Sequence, residues 1–126
     1  MKRRIMLTFI VLVAIFNYGC STLNDVKAAK GTGKIKVYEK PYAEVWDTVL
    51  EIVKTSGLNL ISENKDEGII LAKGPVTVVS YGENVAIFIE YTSLITETRV
   101  EVVSKGVFAS FPRDWAPIIF EALTRQ

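Results

Sequence analysis

The sequence predicts a two-layer α+β sandwich: an antiparallel sheet with two helices on one of its faces. Three observations lead there. Short stretches of alternating polarity recur between Ile35 and Lys105, which is the period of half-buried strands. Two longer stretches, 41–56 and 115–124, repeat apolar residues at helical spacing. Over 97–105, Thr98, Val100 and Val102 alternate with Glu97, Arg99 and Glu101, so one sheet face is expected to be wet and the other to carry both helices. The expected order is β-α-β-β-β-β-β-α.

The chain opens on a targeting signal. Lys2, Arg3 and Arg4 precede an apolar run over 5–16, followed by Asn17-Tyr18-Gly19-Cys20. A basic start, a short apolar core and a small residue before a junction read as a secretory signal. The run falls short of the ~20 apolar residues of a membrane span. Cys20 is the single cysteine. The segment resembles the lipobox of bacterial lipoproteins, with Gly19 before Cys20 as that pattern requires, although Asn17 stands where an aliphatic residue is usual. The resemblance implies a signal peptide over 1–19 and a mature chain that begins at an acylated Cys20. Ser21, rather than Asp, implies the periplasmic face of the outer membrane. An uncleaved anchor and a secreted chain with a free thiol are the competing readings. Residues 20–33 are small and polar and are expected to form a lipidated, flexible tether, with a single domain over 34–126.

Within the domain, 35–39 alternates Ile35 and Val37 against Lys36 and Tyr38, a strand expected to bury the aliphatic pair. Pro41 suits a first helical position. The helix to 56 carries a stripe of Val45, Trp46, Val49, Leu50, Ile52 and Val53, and Gly57 stops it. Strands follow over 58–63 and 69–73, joined by a polar turn. Gly74-Pro75 breaks the chain before a strand over 76–81, and Gly82-Glu83-Asn84 connects to a strand over 85–92. Val85 to Ile89 are apolar on both faces, which places that strand centrally. After the strand over 97–105 comes a loop with Phe108 and Phe111. Asp114 is the expected cap of the last helix, and Pro117 is tolerable in its first turn.

Composition excludes several kinds of chemistry. The chain holds 15 Lys and Arg against 14 Asp and Glu, and cleavage removes Lys2, Arg3 and Arg4, turning a net +1 into about −2. That balance does not support nucleic-acid binding. There is no histidine, hence neither the commonest metal ligand nor the commonest neutral-pH base. With Cys20 committed to lipid, no disulfide forms within the chain. Gly31-Thr32-Gly33-Lys34 imitates a phosphate loop but lacks its leading Gly, its following Ser or Thr, and a preceding strand. Glu90 and Glu101 lie on neighbouring strands, where acid/base work is conceivable but solvated surface carboxylates are the simpler reading. No spacing pairs Ser80, Ser93, Ser104 or Ser110 with Lys73 or Lys105. No catalytic residue, cofactor or metal ligand is expected. The aromatic group Phe108, Phe111, Trp115 and Phe120 is the candidate contact for a ligand or partner, with coverage of one end of the sheet as the plainer alternative.

The stretch 42–50 (Tyr42-Ala43-Glu44-Val45-Trp46-Asp47-Thr48-Val49-Leu50), then Gly57-Leu58, Ser62-Glu63, Gly68-Ile69-Ile70 and Ala72, resembles small bacterial envelope lipoproteins of unknown function. It is also similar to the helix-grip domains of the BamC lipoproteins, which belong to the outer-membrane β-barrel assembly machine. The matching residues are mostly core positions, so the resemblance implies a fold and, at Cys20, an acylation site. Two functions follow as expectations. One is a non-enzymatic, membrane-anchored module that binds an envelope protein. The other is a carrier or sensor that holds a small apolar ligand in a cavity lined by Val45, Val49, Ile87, Phe108 and Trp115. The first expects a filled core and an exposed patch.

Overall fold

A computed structural model describes Lys2, Arg4 and residues 22–78, 82–107 and 113–126. Cys20, Phe108, Phe111 and all of the signal segment except Lys2 and Arg4 lie outside these residues. The described elements run α1 (Leu23–Ala28), β1 (Lys34–Tyr38), α2 (Tyr42–Thr55), β2 (Asn59–Asn64), β3 (Ile69–Lys73), β4 (Glu83–Tyr91), β5 (Thr98–Gly106) and α3 (Ala116–Thr124). The five strands form one antiparallel sheet in the order β1-β5-β4-β3-β2. The α+β class holds, and α2 and α3 share one sheet face as expected.

That face holds the main core. Val45, Trp46, Val49 and Val53 of α2 and Ile119 and Leu123 of α3 pack on Ile70, Ala72, Val85, Ile87, Ile89, Val100 and Val102. Burying each such side chain contributes roughly 1.5–3 kcal/mol. Pro41 stands at the N-cap of α2, one residue outside the helix. Trp115 holds the same place in α3 with Pro117 in the first turn, while the Asp114 carboxylate accepts the Ala116 N–H at 3.0 Å. β4 pairs on both sides and is buried on both faces, the central position its apolar run predicts.

Four expectations need correction. Residues 22–33 do not form a loose tether. Thr22 caps α1 through a reciprocal box with Asp25, and Val26 is fully buried with Ala29 against Ala86, Phe88 and Val103. Three apolar residues on the second sheet face recruit the N-terminal segment as their cover, so that face is not wet where α1 crosses it. Second, 76–78 is not strand: Val76 is 72% and Val78 fully exposed, because the break at Gly74 carries the chain off the sheet; 79–81 lie outside the described residues. Third, Glu83 and Asn84 belong to β4 and are buried.

Fourth, β1 turns over relative to its pattern. Lys34, Lys36 and Tyr38 pair with Val102, Val100 and Thr98 on the helix-bearing side, leaving Ile35 and Val37 each 47% exposed on the other. The lysines explain it. Lys34 pairs with Asp114 and Lys36 donates to Thr124 Oγ1, while Lys40, just beyond the strand, donates to the Gln126 carbonyl. The Tyr38 ring enters the core as the largest apolar group of the strand. On an edge strand, cation partners along α3 outweigh the burial of two aliphatic side chains.

Candidate functional site

Two ends of the sheet and one buried carboxylate concentrate the distinctive chemistry. Glu101 sits on β5 beneath α1 and is fully buried, not a solvated surface acid. Its Oε2 accepts the Gly31 N–H at 2.7 Å and the Gly33 N–H at 2.9 Å. Arg99 Nη1 stands 3.7 Å from Oε1 and also donates to Glu90 Oε2 at 3.2 Å. Lys30 pairs with Glu90 and lies 5.7 Å above the Phe88 ring. Two cations and two carboxylates thus form one chain, Lys30–Glu90–Arg99–Glu101. A buried charge needs both an opposite charge and hydrogen bonds; the Gly-Thr-Gly backbone supplies two to Oε2, while Oε1 has, among the described residues, only the Arg99 guanidinium nearby and no hydrogen bond. The run that imitates a phosphate loop does cradle an anion, but the anion is the chain's own glutamate. A Cβ on Gly33 would lie 2.4 Å from the Val102 carbonyl oxygen, so only glycine brings that N–H to the carboxylate.

At the end of the sheet where β4 begins, Glu83 is a second buried carboxylate. It accepts the Trp115 indole N–H at 3.1 Å and the Arg113 backbone N–H at 2.8 Å. Gly74 donates its N–H to the Glu83 carbonyl at 2.8 Å, and a Cβ there would meet Glu83 Oε2 at 1.9 Å. Trp115 is therefore an interior strut, 1% exposed, not a contact surface. Phe120 is half-buried against the core. The structure brings these two members of the aromatic group onto the helix-side core, while Phe108 and Phe111 lie outside the described residues. Val45, Val49, Ile87 and Trp115, named as cavity lining, belong to the buried main core. An open cleft of about 440 Å³ lies elsewhere, lined by Thr22, Leu23, Asn24, Lys73, Asn84 and Val107. Ser104 accepts the Trp115 backbone N–H on the helix face, while the adjacent Lys105 points to the opposite face with Asn84, so this Ser and Lys do not converge.

The opposite end carries an exposed apolar tip that the residue patterns did not single out. Tyr91 is 68%, Leu94 54% and Ile95 84% exposed, all at the β4–β5 connection. The tip has a firm base. Tyr91 stacks on Tyr42 with ring centroids 4.3 Å apart, and Tyr42 stacks in turn near Trp46. The Tyr42 hydroxyl donates to the Lys65 carbonyl at 2.6 Å. Burial, with smaller contributions from Tyr91 and Asp66, raises its pKa above the usual phenol value, so it stays a donor. Leu94 and Ile95 in a turn-rich stretch are the signal that could have marked this tip. Turns seldom carry two consecutive large aliphatic residues without a reason.

Among the described residues, no group of His, Cys, Asp and Glu is placed to hold a metal ion, and no helix is long and apolar enough to cross a membrane. Fold and site together define a small α+β domain whose N-terminal segment is latched to its sheet. In comparison with known proteins, no family model matches the chain and no curated protein is similar to it.

Proposed function

We propose that this protein is a lipid-anchored envelope lipoprotein, held through acylated Cys20 at the periplasmic face of the outer membrane. Its domain is a non-enzymatic module that binds another envelope protein. The exposed Tyr91–Leu94–Ile95 tip carries this reading. An apolar cluster on a rigid base, at the sheet end remote from the lipidated segment, is a surface built for contact. Val45, Val49, Ile87 and Trp115, the lining expected of a carrier's cavity, are all buried in one apolar cluster, whereas the tip is exposed, which supports a binding module. Anchoring contributes by raising the local concentration of the domain near membrane partners, so a small contact area suffices. The resemblance of 42–72 to envelope lipoproteins, the BamC helix-grip domains included, supports the same reading.

The test places a photoreactive residue at Ile95 and, as a control, at exposed Glu51 of α2. One discrete protein adduct at Ile95, absent at Glu51 and lost with Cys20→Ala, is the expected outcome. Equal labelling at both positions, or none at Ile95 in intact cells, overturns the reading.

A further inference from the structure

The latch on α1 fixes where the N-terminal segment meets the sheet. Cys20 lies three residues before Leu23, so the acylated residue stays within ~11 Å of the start of α1 even with the chain fully extended. The start of α1 sits beside Lys73, Asn84 and Val107, which are the end of β3, the start of β4 and the end of β5. Val26 is buried and Glu101 holds Gly31 and Gly33, so the described segment from Thr22 to Gly33 is held against the sheet. The lipid attachment and this end of the sheet are therefore neighbours.

The same end is built for a lipid surface. Val76 is 72% and Val78 fully exposed, two β-branched apolar side chains on a protruding loop after Pro75. Lys73, Lys105 and Arg113 are the cations there. The carboxylates near them are engaged within the fold: Asp25 accepts the Thr22 N–H, Glu83 is buried and Asp114 pairs with Lys34. At the far end, the two turns hold Asp66, Glu67 and Glu97 against Lys65. The end where β4 begins thus joins two exposed valines to a group of cations, the pairing of apolar and basic side chains that an anionic bilayer surface selects.

We infer that the sheet end at which β4 begins is seated on the bilayer, with Val76 and Val78 entering the lipid interface and Lys73, Lys105 and Arg113 against the phospholipid headgroups. The inference rests on acylation of Cys20, and it explains why the Leu94–Ile95 tip points away from the membrane. β4 is nine residues long, so about 30 Å separates seat from tip.

The experiment uses the full-length, membrane-purified protein in vesicles of phosphatidylethanolamine and phosphatidylglycerol. Val76→Cys, Val78→Cys and Ile95→Cys are each labelled with an environment-sensitive fluorophore; acylation makes the introduced thiol the only reactive one. Intact mass is measured on every sample. The expected result is an acylated chain in which labels at 76 and 78 are blue-shifted and quenched several-fold more by lipid-borne nitroxide than by aqueous iodide, with the reverse at 95. An acylated chain whose labels at 76 and 78 are as open to iodide as the label at 95 overturns the seating and leaves the anchor reading intact. An unacylated Cys20 overturns both.

Discussion

Glu101 shows how one residue converts a sequence pattern into its opposite. In an alternating strand it reads as an outward, solvated acid, yet it is fully buried because two glycine N–H groups and Arg99 meet it there. Removing one partner of a buried charge network typically costs ~3–5 kcal/mol. Glu101→Ala should therefore lower the unfolding free energy by about 3 kcal/mol or more, while Glu101→Gln, which keeps one acceptor oxygen, should lose about half as much. Urea denaturation measures both, and a loss below ~1 kcal/mol for the alanine variant would mean that the pair behaves as an exposed one. Asp114 makes a pH prediction. Burial alone would raise its carboxyl, but Lys34 and the Ala116 N–H outweigh that and hold it below the usual carboxylate value. A depressed carboxyl contributes stability above its unfolded value and loses it as pH falls through the folded one. Stability measured from about pH 5 down to pH 2 should decline less steeply in Lys34→Ala than in the native protein; identical slopes would remove Asp114 from the acid response.

At the scale of elements, α1 and β1 show competition among weak local preferences. α1 has only six residues, too few to persist alone; its box cap and the burial of Val26 and Ala29 hold it. Val26→Asp would place a charge against Ala86, Phe88 and Val103, so the helix should leave the sheet while the main core, which it does not share, remains folded. Limited trypsin digestion should then cut after Lys27 or Lys30 and leave a resistant fragment that begins at Ala28 or Gly31. Resistance at both lysines in the variant would show that α1 docks without that contact. The helices α2 and α3 and the strand β3 are legible in the sequence because each has a strong period and a clear stop. The alternation of β1 points the wrong way because its lysines find partners on α3, a contact that periodicity does not register. Residues 76–78 alternate without forming a strand, since a short segment does not reveal whether a neighbouring strand is available to pair.

For the whole molecule, the two ends of the sheet differ in kind, and the difference follows from where α1 docks. Under the proposed acylation of Cys20, a free tether would let the domain tumble about that anchor and present every face in turn. If Cys20 is acylated as proposed, a latched segment makes that end of the sheet a fixed seat and leaves the Tyr91–Leu94–Ile95 tip as the outward surface. The aromatic group expected as the contact surface resolves otherwise in its described members, Trp115 forming an interior strut and Phe120 packing on the core. Ring size and spacing alone do not tell a strut from a surface: Trp115 is interior because Glu83, distant in sequence, accepts its indole N–H.

Local period and composition carry the α+β class, the two helices, their shared sheet face, the central place of β4 and the lack of any histidine chemistry, because each segment holds that information within itself. The inward face of β1, the cover that residues 22–33 provide for the second sheet face, and the cradling of Glu101 by Gly31 and Gly33 across some seventy residues come from tertiary contacts. Such outcomes depend on which distant group can satisfy a buried charge or cover an apolar patch, and that is settled only when the strands meet.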